Sequence, residues 1–285
     1  MSGAGSQEIR LDAGLEGTRL ALIGAGNMGF AMLQGWAAGG LAGDSVIVIE
    51  PNPSPQLRDL CALRAFPILS APQAGASRDA VVLAIKPQML EAGVAAAAPF
   101  VGPQTLIVSI LAGKRIADIS ARLPGAPAIV RAMPNTPAAV GRGITGAFAS
   151  SATVSTQRAC ADALLAAIGK VEWLENEAQI DALTAVSGSG PAYVFYLVEA
   201  LAAAGVAAGL PAALAGRLAR ATVEGAGELL YRQPETAAAT LRERVTSPGG
   251  TTAAALAVLM AEDGLEPLMT RAVAAAKRRA GELSG

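Results

Sequence analysis

Gly24, Gly26 and Gly29 set the spacing G-x-G-x-x-G within IGAGNMG, residues 23–29. Such a turn lets a backbone without Cβ atoms approach a pyrophosphate, whose charge then rests on the N-terminus of the next helix. Alone, the spacing is weak evidence, because glycine turns also serve purely structural ends in α/β chains. A second stretch with chemical content is SPGGTT, residues 247–252. Two glycines and two threonines at a helix start expose backbone N–H groups at the positive end of the dipole, a seat for a carboxylate. Ser and Thr also cap helices, so this stretch alone leaves both uses open. The chain contains no histidine. Proton transfer must therefore use a carboxylate, hydroxyl, lysine, tyrosine or water. Histidine-dependent dehydrogenase schemes, His-ligated zinc and Ser-His triads are excluded.

The glycine turn needs a strand before it and a helix after it. Residues 20–23 are an apolar run, 30–38 read as a helix stopped by Gly39 and Gly40, and 46–50 read as a second strand. Strand and helix go on alternating. Helices are expected at 56–63, 88–98, 116–123 and 156–168, and strands at 66–69, 80–85, 106–110, 129–133, 145–149 and 171–174. AVVLAI (80–85) is a continuous apolar run, the mark of a strand buried on both faces of a parallel sheet, and LIVSI (106–110) reads as another buried strand. The fold class is thus α/β, a Rossmann-type doubly wound sheet. Beyond residue 174, alanine and leucine recur at helical spacing, with helices expected near 191–208, 211–231, 252–260 and 265–282. The resulting division is a disordered tail (1–18), a dinucleotide-binding domain (19–174) and a smaller all-α domain (175–285). The small-residue faces of the last domain point to burial against a second subunit.

With 22 basic and 23 acidic residues, charge argues neither for nucleic acid nor for an anionic membrane surface. Cys61 and Cys160 lack CxxC spacing and read as core thiols in a reducing compartment. No metal site is expected. Residues 1–14 lack the apolar core of a signal peptide, and Gly, Pro and charge interrupt the alanine-rich stretches, leaving none with the length and flanks of a membrane span. A cytoplasmic protein is the expectation.

Open α/β sheets bind ligands beyond the carboxyl ends of their strands. Lys86-Pro87, residues 109–113 (SILAG) and residues 133–137 (MPNTP) lie there with the glycine turn, an edge suited to a nicotinamide. Glu50 stands where an acid grips a ribose diol, and would repel a 2′-phosphate aimed at it. Asn52, Ser54 and Arg58 offer donors and a cation suited to that phosphate. The balance favours NADPH, with NADH open.

Five motifs now converge: IGAGNMG (23–29), AIKP (84–87), RAMPNTP (131–137), VSGSGPAYVF (186–195) and TSPGGTT (246–252). In identity, order and spacing the chain resembles pyrroline-5-carboxylate reductase over roughly residues 19–280. The resemblance implies reduction of the C=N bond of 1-pyrroline-5-carboxylate to L-proline with NAD(P)H, the last step of proline biosynthesis. It implies a homodimer through the helical domain, with assembly into a decamer as a further step. By motif, Gly24, Ala25, Gly26, Asn27, Met28 and Gly29 would hold the pyrophosphate, with Asn52, Ser54 and Arg58 near the adenosine ribose. Ala84, Ile85, Lys86, Pro87, Ala112 and Gly113 would frame the nicotinamide. Ser247, Gly249, Gly250, Thr251 and Thr252 would seat the substrate carboxylate, with the Thr252 hydroxyl at the imine nitrogen as the catalytic group. Glu177 and Glu235 resemble substrate-side acids. The chain departs from the family pattern at Ala71, where some members carry asparagine, and at Glu50, which is usually neutral. The rival enzyme reading is a β-hydroxyacid dehydrogenase or imine reductase, which calls for a lysine on the helix after the sheet; residues 180–210 contain none. The non-enzymatic rival is an NAD(P)-binding sensor or scaffold on the same fold.

Overall fold

The computed structural model describes residues 15–73, 75, 77–126 and 128–284. Its first part runs β1 (Leu20–Ile23), α1 (Asn27–Ala38), β2 (Val46–Ile49), α2 (Pro55–Arg64), β3 (Ile68–Leu69) and β4 (Ala80–Leu83). Then come α3 (Leu90–Ala97), β5 (Leu106–Ser109), α4 (Ile116–Ser120), β6 (Ala128–Met133), β7 (Gly143–Ala149), α5 (Ser155–Ala166) and β8 (Gly169–Trp173). The remainder is helical: α6 (Gln179–Leu183), α7 (Gly190–Ala207), α8 (Ala212–Arg232), α9 (Ala238–Arg244), α10 (Thr251–Leu259) and α11 (Leu265–Ser284).

Among the described residues, eight strands form one sheet in the order β3-β2-β1-β4-β5-β6-β7-β8. The chain winds outward from β1 to β3, returns to β4 on the other side of β1, and continues outward. That reversal leaves a crevice between β1 and β4, the place where such sheets bind nucleotides. β1 through β6 are parallel, and the Rossmann-type expectation holds. β7 runs antiparallel to β6. Residues 134–142 between them are too few for a parallel crossover, which takes about a dozen residues or more.

Alternate side chains along each strand enter opposite cores. Leu20, Leu22, Val82 and Val108 join one, with Met32, Leu33 and Trp36 of α1 and Leu164 and Leu165 of α5. Ala21, Ile23, Leu83 and Ile107 join the other, with Leu90 and Val94 of α3. Burial on both faces explains why these strands read as unbroken apolar runs. Trp36 Nε1 donates to the Leu164 carbonyl at 2.9 Å, tying α1 to α5. Of the expected tail, residues 1–14 lie outside the described residues, and Leu15 is buried in the first core.

The described residues divide into two compact units, one made of those up to residue 188 together with 277–284, the other of residues 189–276. The division falls beyond residue 174 because α6 and the turn after it pack on the sheet. That turn differs from expectation. A helix is expected to begin near residue 191, yet Thr184–Gly188 is a π-helical turn that leads from α6 into α7. Thr184 and Ser187 hydroxyls donate to the Ile180 and Leu183 carbonyls, which keeps the helical path satisfied. As a result, Gln179–Ala207 is one helical run long and apolar enough, by length and composition, to cross a membrane. This corrects the expectation that Gly and Pro interrupt every such stretch.

In the second unit α7 and α8 pack against each other, with Gly205 facing the Ala215 methyl. Only Ala215 and Ala219 are buried in the whole of residues 189–276. Phe195, Tyr196 and Leu197 are at least half exposed. This unit has helices but no core of its own.

Candidate functional site

The glycine turn lies in the crevice between β1 and β4. Gly24 has φ +86°, and a Cβ there would sit 2.7 Å from Ile85 Cγ2 and 2.9 Å from the Ala84 carbonyl oxygen. At Gly29 a Cβ would sit 2.5 Å from the Gly24 carbonyl oxygen, so the helix packs directly on the turn. Gly26 is different. It is exposed, has φ −64°, and a Cβ there would meet nothing within 4 Å. Gly26 is also the N-cap of α1, and no side chain caps that helix. The fold therefore explains two glycines, while the third faces a space sized for a ligand to approach backbone donors. Among its neighbours, Ala25 is buried, Asn27 is exposed, and Met28 packs against the first core.

A hollow of about 480 Å³ opens in front of this turn, with Gly24, Gly26, Glu50, Asn52, Ala84, Ile85 and Lys86 in its wall. Ala71 lines it too, so the departure from asparagine falls inside the hollow. Pro87 starts a 3-10 turn after Lys86. A neighbouring hollow of about 410 Å³ is walled by Ala25, Gly26, Asn27, Phe30, Glu50, Asn52, Ser54 and Gln56. Gly26, Glu50 and Asn52 stand in both walls.

Glu50 is bound up in the protein. Its Oε2 accepts from Ala25 N at 2.9 Å and its Oε1 accepts from Asn52 N at 3.0 Å. The carboxylate thus braces the glycine turn against the end of β2. Ser54 Oγ accepts from Leu57 N at 3.2 Å and caps α2. Arg58 is exposed on α2 and lies in the wall of neither hollow. Gln56 and Ser70, which the sequence reading passed over, do line them. Both are ordinary polar residues in loops or first turns, without a spacing signal.

Ala112 and Gly113 follow β5 on the same sheet edge. They line a separate small hollow with Arg131, Asp181 and Leu283, not the one before the glycine turn. Glu177, expected on the substrate side, spends its carboxylate elsewhere. Oε1 accepts from Ile116 N at 2.8 Å and from Arg131 Nη1 at 3.1 Å. Arg131 was missed as a functional candidate. Its signal is a charge inside the otherwise apolar strand AIVRAM.

In the helical unit Glu235 is exposed in the turn between α8 and α9. Residues 247–250 form a tight turn in which Gly250 N donates to the Ser247 carbonyl at 3.0 Å. Gly249 takes φ +71° at the third position, after a proline, as a type II turn requires. Gly250 is the N-cap of α10, and no side chain caps it. The capping use of Ser247, Thr251 and Thr252 is therefore not the one adopted, and the N-terminus of a nine-residue helix stays open beside the Thr252 hydroxyl.

Among the described residues no cluster of His, Cys, Asp or Glu is arranged to hold a metal. The Cys61 thiol is pushed up to about 11 by burial, and Cys160 to about 11 by burial and then by the charge of Asp79. Neither is a thiolate at neutral pH.

Relatives settle the family. A pyrroline-5-carboxylate reductase from Pseudomonas aeruginosa is 41% identical over 93% of this chain and 97% of its own length. The chain belongs to the pyrroline-5-carboxylate reductase family. Residues 177–283 match the model for pyrroline-5-carboxylate reductase dimerisation, and residues 19–113 match that for NADP oxidoreductase coenzyme F420-dependent. A pyrroline-5-carboxylate reductase structure from Coxiella burnetii superposes with a TM-score of 0.86 at 34% identity, covering 94% of this chain and 99% of that one. A pyrroline carboxylate reductase from Plasmodium falciparum, with NADP bound, gives a TM-score of 0.76 at 26% identity and covers 95% and 99%.

Pyrroline-5-carboxylate reductases are NAD(P)H-dependent oxidoreductases of proline biosynthesis, and this chain takes that function with its family. Members bring a small-molecule substrate and an oligomeric helical domain. The uncored helices of residues 189–276 agree with that domain's match to a dimerisation model.

Proposed function

We propose that this chain reduces 1-pyrroline-5-carboxylate to L-proline by seating the substrate carboxylate on the N-terminus of α10 and NADPH in the crevice between β1 and β4. The observation that carries the substrate half is the uncapped start of α10 beside Gly249 and Gly250. Backbone N–H groups of Thr251 and Thr252 are the donors, presented by the turn through Gly249 and Gly250 with Ser247 beside them; they hold the ring by a group that takes no part in the chemistry. Bound reduced nicotinamide supplies the hydride. The Thr252 hydroxyl hydrogen-bonds the ring nitrogen, which enters protonated and leaves as the amine. No histidine exists to act in its place. Glu235, on an exposed turn, is held as a substrate-side acid only by its resemblance.

On the cofactor side, Gly24, Ala25, Gly26, Asn27, Met28 and Gly29 supply the pyrophosphate cradle, and Gly26 fits by leaving its Cβ space open. Asn52 and Ser54 face the ribose, with Arg58 further out on α2. Ala84, Ile85, Lys86, Pro87, Ala112 and Gly113 form the nicotinamide edge. NADPH is favoured because Glu50, the one group that would repel a 2′-phosphate, has both carboxylate oxygens turned to backbone donors.

The working form is a homodimer through residues 177–283, with the apolar faces of α7, α8, α10 and α11 against a second copy and not against lipid. Two buried residues in 189–276 support this, since a unit of that size needs far more buried surface to stand alone. Assembly of dimers into a decamer and a cytoplasmic location complete the reading.

Pyrroline-5-carboxylate tested beside 1-pyrroline, which lacks the carboxylate, examines the central observation. The seat predicts that kcat/KM for 1-pyrroline falls by at least about a hundredfold, the worth of two charge-assisted hydrogen bonds. Equal turnover of the two imines would overturn it.

A further inference from the structure

RAMPNTP is one of the five motifs, yet hydride transfer as described leaves Arg131 without a task. Arg131 is 3% exposed in a strand whose other side chains are apolar. Its Nη1 lies 3.1 Å from Glu177 Oε1 and its Nη2 lies 4.0 Å from Asp181 Oδ1. The Glu177 oxygen also accepts Ile116 N at 2.8 Å, at the first residue of α4. The Ser284 hydroxyl, in the last turn of α11, lies 3.3 Å from Asp181 Oδ1. Next to it, the Leu283 carbonyl oxygen packs so closely on Gly113 that a Cβ there would come within 2.6 Å. Gly113 itself holds φ +70°.

These contacts share one target. The loop from Leu111 to Arg115 joins β5 to α4 and carries Ala112 and Gly113. Glu177 holds its far end through Ile116, and Leu283 presses on its middle from a helix end that Asp181 meets through Ser284. Both carboxylates gather on Arg131. We propose that Arg131 is a positioning residue: with Glu177 and Asp181 as its two arms, it fixes the Leu111–Arg115 loop and so shapes the nicotinamide end of the cofactor site. This reassigns Glu177 from the substrate to the loop. A buried charge cluster is a poor way to gain stability, since apolar side chains of the same volume do as well or better. It does define directions, because a planar guanidinium fork meets its carboxylates only in particular orientations.

The inference rests on the reading that Ala112 and Gly113 frame the nicotinamide, and its test uses binding, so it can fail while reduction of pyrroline-5-carboxylate stands. Arg131→Met and Arg131→Lys are titrated calorimetrically with two probes. One is NADP+; the other is 2′-phospho-ADP-ribose, which ends before the nicotinamide and uses only the glycine turn and the β2 end. Arg131→Met is expected to weaken NADP+ by about tenfold, the equivalent of one lost hydrogen bond. The fragment should bind as to the native protein, and Arg131→Lys, which reaches one carboxylate at a time, should fall between. Equal weakening of both probes would mean a general structural role and overturn the proposal; so would unchanged NADP+ binding. If Arg131→Met does not fold, Arg131→Lys decides alone: weaker NADP+ with unchanged fragment supports the inference, and any other pattern refutes it.

Discussion

Replacing Gly26 and Gly29 by alanine, one at a time, separates what the glycine turn does for the fold from what it does for the cofactor. At Gly29 the new methyl would sit 2.5 Å from the Gly24 carbonyl oxygen and 3.1 Å from the Ala84 methyl. Backbone must move, and overpacking of this kind costs about 1–3 kcal/mol. For a unit of this size that is a fall in Tm of about 2–12 °C. At Gly26 the methyl meets nothing within 4 Å, and φ is −64°, which alanine accepts. Losing glycine from an N-cap costs a few tenths of a kcal/mol or more, and stiffening the unfolded chain returns about 0.4–1 kcal/mol. Stability should therefore stay within about 0.5 kcal/mol of the native protein. The methyl instead occupies the approach to the start of α1. Displacing a pyrophosphate from one charge-assisted backbone bond is worth about 1.5–3 kcal/mol, or roughly tenfold to a hundredfold in Kd for NADPH. Thermal melts and fluorescence titration with NADPH read the two effects separately. Native-like NADPH affinity in Gly26→Ala would refute the assignment of this turn to the pyrophosphate.

Thr252→Val should keep the carboxylate seat and lower kcat by about tenfold to a hundredfold with little change in NADPH binding; wild-type turnover would remove the hydroxyl from the mechanism. Because Gly250 and not Thr252 caps α10, the same variant should melt close to the native protein. Arg58→Ala should raise the KM for NADPH about fivefold and leave that for NADH nearly unchanged, the scale of an exposed charge. Equal effects on both cofactors would mean that Arg58 only solvates α2. Alkaline denaturation provides a separate check on the two thiols. Unfolded thiols lose their protons near pH 9, whereas folded Cys61 and Cys160 keep theirs to about 11. The unfolded chain then binds fewer protons, so stability falls as pH rises through that window. Urea titrations from about pH 8 to 10.5 should show the fall, and Cys61→Ala should flatten it; identical slopes would contradict the burial of Cys61.

The sheet was legible because both its faces are buried. LALI and AVVL are apolar at every position and LIVS at all but Ser109, and each is a strand where the run predicted one. The glycine turn was legible for the same reason, since the elements on either side of it are strongly patterned. The direction of β7 was not, because antiparallel pairing follows from the length of residues 134–142 and leaves no mark in the strand itself. SGSGP misled because glycine and proline normally punctuate helices, whereas here two hydroxyls satisfy the carbonyls of a π turn. Helix α9, with its short polar sequence AATLRER, carries too little periodicity to announce itself. The site divides along similar lines. Backbone seats announce themselves through glycine, whereas Glu50 and Glu177 have partners 25 and 46 or more residues away that no local pattern reveals. Glu50 reads as a ribose acid by spacing and serves as a brace by geometry.

The most direct measurement is NADPH consumption by the purified chain on addition of pyrroline-5-carboxylate, with chromatographic assay of the product. The account predicts one L-proline formed per NADPH oxidised, and no NADPH oxidation with a β-hydroxyacid dehydrogenase's carbonyl substrates in its place. Oxidation of NADPH by those substrates, with pyrroline-5-carboxylate left unreduced, would contradict it.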